Sequence, residues 1–147
     1  MSQDALIAKF NLIAAQIRHE DGLIGQRISW LVISQSFLFG TFVALVVQKG
    51  VVGPAARAVK LLLILIPLVG VLAPVIVLVA VGAAIYAIAQ WRAEHDRLSA
   101  TPEARQLDWP DLTHQTSVEV LGHLLPIAIA VVLALAWAAI MIQMSTD

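Results

Sequence analysis

Three apolar runs, Ile28 to Val47, Leu61 to Ala89 and Val118 to Ile142, occupy most of this 147-residue chain. Each reaches or exceeds the roughly 20 residues with which an α-helix crosses a hydrocarbon core about 30 Å thick. Lipid offers no partner to backbone N–H and C=O groups. Runs of this length, with no alternation of polar and apolar residues, therefore predict helices, which satisfy those groups internally. The expected fold class is all-α: an integral membrane protein with three transmembrane helices preceded by an amphipathic N-terminal helix.

Hydrophobic residues make up 60% of the chain and charged residues 13%, against roughly 45–50% and 25% in soluble domains. Lipid takes the place of a conventional core. The longest polar stretch, Gln90 to Ser117, is a connector too short for a catalytic domain, so residues 1–147 are expected to form one membrane domain. A net charge of −1 supplies no basic surface for nucleic acid. With no cysteine there is no disulfide or thiolate ligand, and the redox compartment is not legible. The G-x-x-x-x-G-K, H-E-x-x-H and G-x-S-x-G patterns are missing, so phosphate binding, zinc proteolysis and elbow-type hydrolysis lack their usual residues. Neither an enzyme nor a cofactor is expected.

About 27 mostly amphipathic residues precede the first run, which is of full spanning length and is not followed by a clear A-x-A site, so it reads as an uncleaved helix. Of the nine Lys and Arg residues, six (Lys9, Arg18, Arg27, Arg92, Arg97, Arg105) fall on one side of the predicted spans and three (Lys49, Arg57, Lys60) on the other. That asymmetry predicts a cytoplasmic N-terminus and an exported C-terminus.

Along the chain, Leu6, Phe10, Ile13 and Ile17 recur at helical spacing and predict an amphipathic helix over 4–20. Gly22 and Gly25 are expected to loosen the chain before a first span over 28–47. The second span, over 60–91, exceeds the bilayer thickness, and Pro67, Gly70 and Pro74 predict a long, tilted, kinked helix, with a re-entrant turn as the alternative. A cytoplasmic loop follows over 92–116, with Thr101-Pro102-Glu103 as a helix start and Asp108-Trp109-Pro110-Asp111 as a turn that sets Trp109 at the interface. A third span over 117–143 begins with a capping box, Thr116 to Glu119, and is bent by Pro126.

Several groups of residues stand out. Arg27, Ser34, Thr41 and Gln48 recur every seven residues, on one face of a helix in a left-handed bundle. They read either as flanking and self-bonded polar residues or as a seam lining an oligomer axis or narrow pore. Gln35, about 100° away, is expected to make an interhelical hydrogen bond. Ser36, Gly40 and Ala44 form a small-residue stripe suited to close helix contact, as do Ala130, Ala134 and Ala138, with Gly82 giving close approach in the second span. Glu119 and His123, four apart near an interface, read as a pair that Arg27 could complete, or as a proton or metal site. His95 and His114 read as solvated loop residues.

The Arg27-x-Ser29-Trp30 start of the first run, followed by Ser34-Gln35-Ser36-Phe37-Leu38-Phe39, is similar to short multi-pass proteins of bacterial inner membranes. That resemblance implies an inner-membrane location and carries over no functional residue. Three spans alone cannot surround a cavity. The expected function is therefore a homo-oligomeric assembly in the lipid bilayer, of channel-like character in one version; the alternative is an accessory subunit of a larger membrane complex.

Overall fold

The structure, a computed structural model, describes residues 3–48, 52–105 and 116–146, without the side chains of residues 54 and 116–121. It consists of α1 (Gln3–Val47), α2 (Pro54–Ser99), a single-turn α3 (Pro102–Arg105) and α4 (Thr116–Thr146), with no strand among the described residues. α1, α2 and α4 are long and apolar enough to cross a membrane. Only 17%, 22% and 11% of the residues in their most apolar windows are buried within the chain. Apolar surface left uncovered on this scale belongs against lipid, so the chain is a multi-pass membrane protein.

The amphipathic N-terminal segment is present, but as the first half of α1 and not as a separate helix over 4–20. At 1.5 Å per residue α1 is about 67 Å long, twice the hydrocarbon thickness. The expected break at Gly22 and Gly25 does not occur. Each glycine costs a helix about 1 kcal/mol relative to alanine. Ile24, between the two glycines, is buried with Val81, Ala84 and Ile88 of α2, and in folded proteins most helical stability comes from such tertiary packing and not from propensity. Packing outweighs the local preference.

α2 likewise overruns its expected end at residue 91 and continues to Ser99, so the first part of the expected 92–116 loop is helical. Nothing between Trp91 and Ser99 breaks a helix, and Ile88, His95 and Leu98 are buried at helical spacing. The stop comes at Thr101-Pro102, as the sequence suggests. There the Thr101 hydroxyl accepts from the Ala104 N–H at 3.4 Å while donating to the Leu98 carbonyl at 2.7 Å, capping α3. Pro67 and Pro74 lie inside α2 without interrupting it, and the re-entrant turn is not formed. Gly53, at φ 84°, supplies the left-handed residue before Pro54.

Contacts fix the topology. Lys9 meets Glu94 and Arg27 meets Ala80, so α1 and α2 are antiparallel. Asp21 meets His123 and Gln35 meets Trp137, so α1 and α4 run parallel. The bundle goes up, down and up, with the beginning of α1 and the end of α4 at opposite ends. α2 packs on both neighbours; α1 and α4 touch at fewer positions. The first half of α1 and the last turns of α2 extend the bundle as a two-helix stalk with Leu6, Ile13 and Leu98 buried in it. His95, expected in a solvated loop, is also buried there, 5.9 Å from the Phe10 ring and 3.4 Å from the Asp96 carboxylate.

Candidate functional site

Two polar clusters lie between the helices. The deeper one begins with Pro74. Proline has no N–H, so the carbonyl four residues earlier, that of Gly70, loses its helical donor. In lipid such a group must find another partner. Gln35 provides it from α1: its Nε2 donates to the Gly70 carbonyl at 3.3 Å, and its Oε1 accepts from Trp137 Nε1 at 2.5 Å. Gln35 and Trp137 are both buried. Phe39 stacks on the indole with centroids 4.2 Å apart, and Phe42 meets it edge-on at 5.6 Å. Gly70 must lack a side chain, because a Cβ there would collide with the indole ring.

The second cluster surrounds a crevice of about 340 Å³ where α1, α2 and α4 meet near the stalk, lined by Asp21 and Gly25, Arg92, and Gly122, His123 and Pro126. His123 Nε2 lies 3.9 Å from Asp21 Oδ1, a loose ion pair when the imidazole is protonated. Pro126 deprives the Gly122 carbonyl of its helical donor, as Pro74 does Gly70. The crevice thus combines a cation, a carboxylate, an imidazole and an under-satisfied carbonyl. Among the described residues no three His, Asp or Glu side chains gather as metal ligands.

Further along the stalk, Lys9 Nζ donates to Glu94 Oε1 at 2.7 Å, and Arg97 lies 3.7 Å from the other carboxylate oxygen. The hydrogen bond from Lys9 and the lysine's charge hold the Glu94 carboxyl below its ordinary value of 4.5.

The seven-residue seam is divided. Arg27 Nη1 donates to the Ala80 carbonyl at 2.9 Å, and Ser34 donates to its own helix at the Leu31 carbonyl. Arg27 and Ser34 border a groove against α2; Thr41 and Gln48 are exposed. Gln35 makes the interhelical bond expected of it. Ser36, Gly40 and Ala44 are exposed on the back of α1, where a Cβ on Gly40 would meet nothing within 4 Å, and Ser36 bonds to the Val32 carbonyl. Among the described residues no helix covers this stripe. In α4, Ala130 is buried; Gly82 of α2 faces open space.

His123 faces Asp21, a residue not singled out in the sequence. The side chain of Glu119 lies outside the described residues, as do those of the Thr116 to Glu119 capping box. Asp108 to Asp111, with Trp109, and His114 also lie outside them. Trp137, Asp21 and Arg92 carried no local signal, since their roles depend on how helices far apart in sequence are rotated against one another. Pro74 did carry one: an orphaned carbonyl at Gly70 needs a donor.

Comparison with known protein families, curated proteins and solved structures finds no match to this chain.

Proposed function

We propose that this chain is the subunit of a homo-oligomeric assembly of the bacterial-type inner membrane, with a cytoplasmic N-terminus and stalk and the α4 terminus outside. The observation that carries the reading is the bare back of α1. Ser36, Gly40 and Ala44 are exposed, and over Gly40 there is open space. Between helices in lipid, association rests on van der Waals packing, and small residues permit the closest backbone approach. Phe37, 73% exposed beside the stripe, gives a second copy a large side chain to pack on. The basic asymmetry supports the orientation, placing Arg92 and Arg97 with the stalk on the cytoplasmic side.

The face assigned to self-contact is the small-residue stripe and not the seven-residue seam. Ser34 is bonded to its own helix and Arg27 to α2, so neither asks for a second copy. The mass of the particle in mild detergent tests the reading. A single multiple of 15.8 kDa, reduced to the protomer by Gly40→Leu, is the expected result. A monomeric parent, or a particle that always contains other chains, overturns it and favours the accessory-subunit alternative.

A further inference from the structure

We propose that the groove between α1 and α2, at the head of the first span, is a binding site for an anionic phospholipid whose phosphate sits on Arg27. The groove has a volume of about 410 Å³ and is lined by residues including Gln26, Arg27, Trp30 and Leu31 from α1 and Ala73 and Val77 from α2. Its two ends differ. Leu23, Gln26 and Arg27 form the end towards the stalk; Leu31, Ala73 and Val77 form a mainly apolar wall running deeper into the spans, where the Ser34 hydroxyl is taken up by the Leu31 carbonyl of its own helix. A polar head over an apolar trough fits an amphiphile that enters from the bilayer.

Arg27 sets the charge of the ligand. The guanidinium has five N–H donors, and one of them is held by the Ala80 carbonyl at 2.9 Å, which fixes its position without neutralising it. Among the described residues no carboxylate pairs with it. Asp21, six residues earlier and so about 120° round the helix, faces His123 in the crevice. A guanidinium anchored in this way presents its remaining donors as a planar fork, the geometry that matches a phosphate. Among the described residues Arg27 is the only charged one lining the groove, and none of them offers an acidic side chain to the ammonium of a zwitterionic headgroup. The site therefore selects a lipid with net negative charge. Trp30, 65% exposed at the rim, stands where an indole favours the headgroup boundary.

The groove lies on the flank of α1 and the small-residue stripe on its back, so lipid binding and self-association can fail separately. The full-length protein in mild-detergent micelles is titrated with phosphatidylglycerol or phosphatidylcholine of identical acyl chains, and bound lipid is counted by native mass spectrometry. Phosphatidylglycerol is expected to be retained about fivefold more strongly, the scale of one basic side chain at an anionic membrane surface. Arg27→Gln should abolish the preference. Ala73→Leu, which fills the trough and keeps the guanidinium, should lower retention of both lipids while leaving the particle mass unchanged. Equal retention of the two lipids by the parent overturns the proposal. So does a preference that survives Arg27→Gln, and so does displacement of phosphatidylglycerol by millimolar inorganic phosphate, which would assign the site to free phosphate.

Discussion

Trp137 donates its indole N–H to the side-chain carbonyl of Gln35, 102 residues away in sequence, and the same Gln35 donates to the carbonyl that Pro74 leaves without a helical donor. One carboxamide thus joins all three spans. Replacing it by leucine strands the Gly70 carbonyl and the Trp137 N–H together. Interhelical hydrogen bonds in membranes average about 0.6 kcal/mol and reach about 1.7, so Gln35→Leu is expected to lose about 1–2 kcal/mol of stability. A double-mutant cycle with Trp137→Phe, read by thermal unfolding in detergent, should show a coupling above about 0.5 kcal/mol. Strict additivity of the two variants would show that the bond contributes nothing.

Gly70→Ala is expected to destabilise by about 1–3 kcal/mol, the usual range for overpacking, because the added methyl enters the volume of the Trp137 ring. Gly82→Ala is the matched control in the same helix. A Cβ there meets nothing within 4 Å, and the higher helix propensity of alanine should leave stability unchanged or raised by up to about 1 kcal/mol. Similar melting temperatures for the two variants would contradict the close approach of α2 and α4.

The spans were legible in the sequence because a run of 20 or more apolar residues has one solution in lipid, and Gln35 was legible because a mid-depth carboxamide must find a partner. Its partner was not. Trp137 sits near the end of an apolar run, where an indole ordinarily marks the interface, and only the rotation of α4 against α1 turns it inward. Gly22 and Gly25 misled for a related reason: their intrinsic cost is local, whereas the burial of Ile24 that offsets it comes from α2. The overrun of α2 to Ser99 was present in the spacing of Ile88, His95 and Leu98, but the charges between them read as a loop when no partner helix was in view. The stalk exists because α1 supplies that partner.

The stalk carries a pH dependence of definite sign. Lys9 holds the Glu94 carboxyl below its ordinary value of 4.5, so the pair contributes stability in full above that value and loses it as pH falls through the lower folded value. Between pH 5.5 and 8 the pair should add no slope. Below about pH 4.5 the difference between the parent and Glu94→Gln should shrink towards zero. The check is unfolding of both proteins from pH 3 to 8 at fixed ionic strength; a gap that stays constant through the acid range would show that the Lys9–Glu94 contact does not couple to folding.

The crevice should admit water. With no native cysteine in the chain, single cysteines can be read without background. Cysteine at Gly122, on the crevice wall, should react with a membrane-impermeant thiol reagent added from the stalk side. Cysteine at Ala130, buried two turns further along α4, should not. Equal protection at both positions would mean that lipid or another chain seals the crevice.

The same background-free chemistry decides which face of α1 meets a second copy. A cysteine at position 40 or 44 faces away from α2 and α4, so under mild oxidation in native membranes it should form a disulfide-linked dimer if two copies pack stripe to stripe. On the α-helical repeat position 34 lies about 120° from Gly40 and 80° from Ala44, and position 41 about 100° and 60°; both are on the flank, and position 34, the farther of the two, should stay unlinked. A disulfide needs Cα atoms within about 7 Å, so the result reports close approach and not mere proximity in the bilayer. Linking at 34 and 41 with none at 40 and 44 would transfer the self-contact to the seven-residue seam, revive the pore-lining reading of Ser34 and Thr41, and leave no room for a phospholipid beside Arg27.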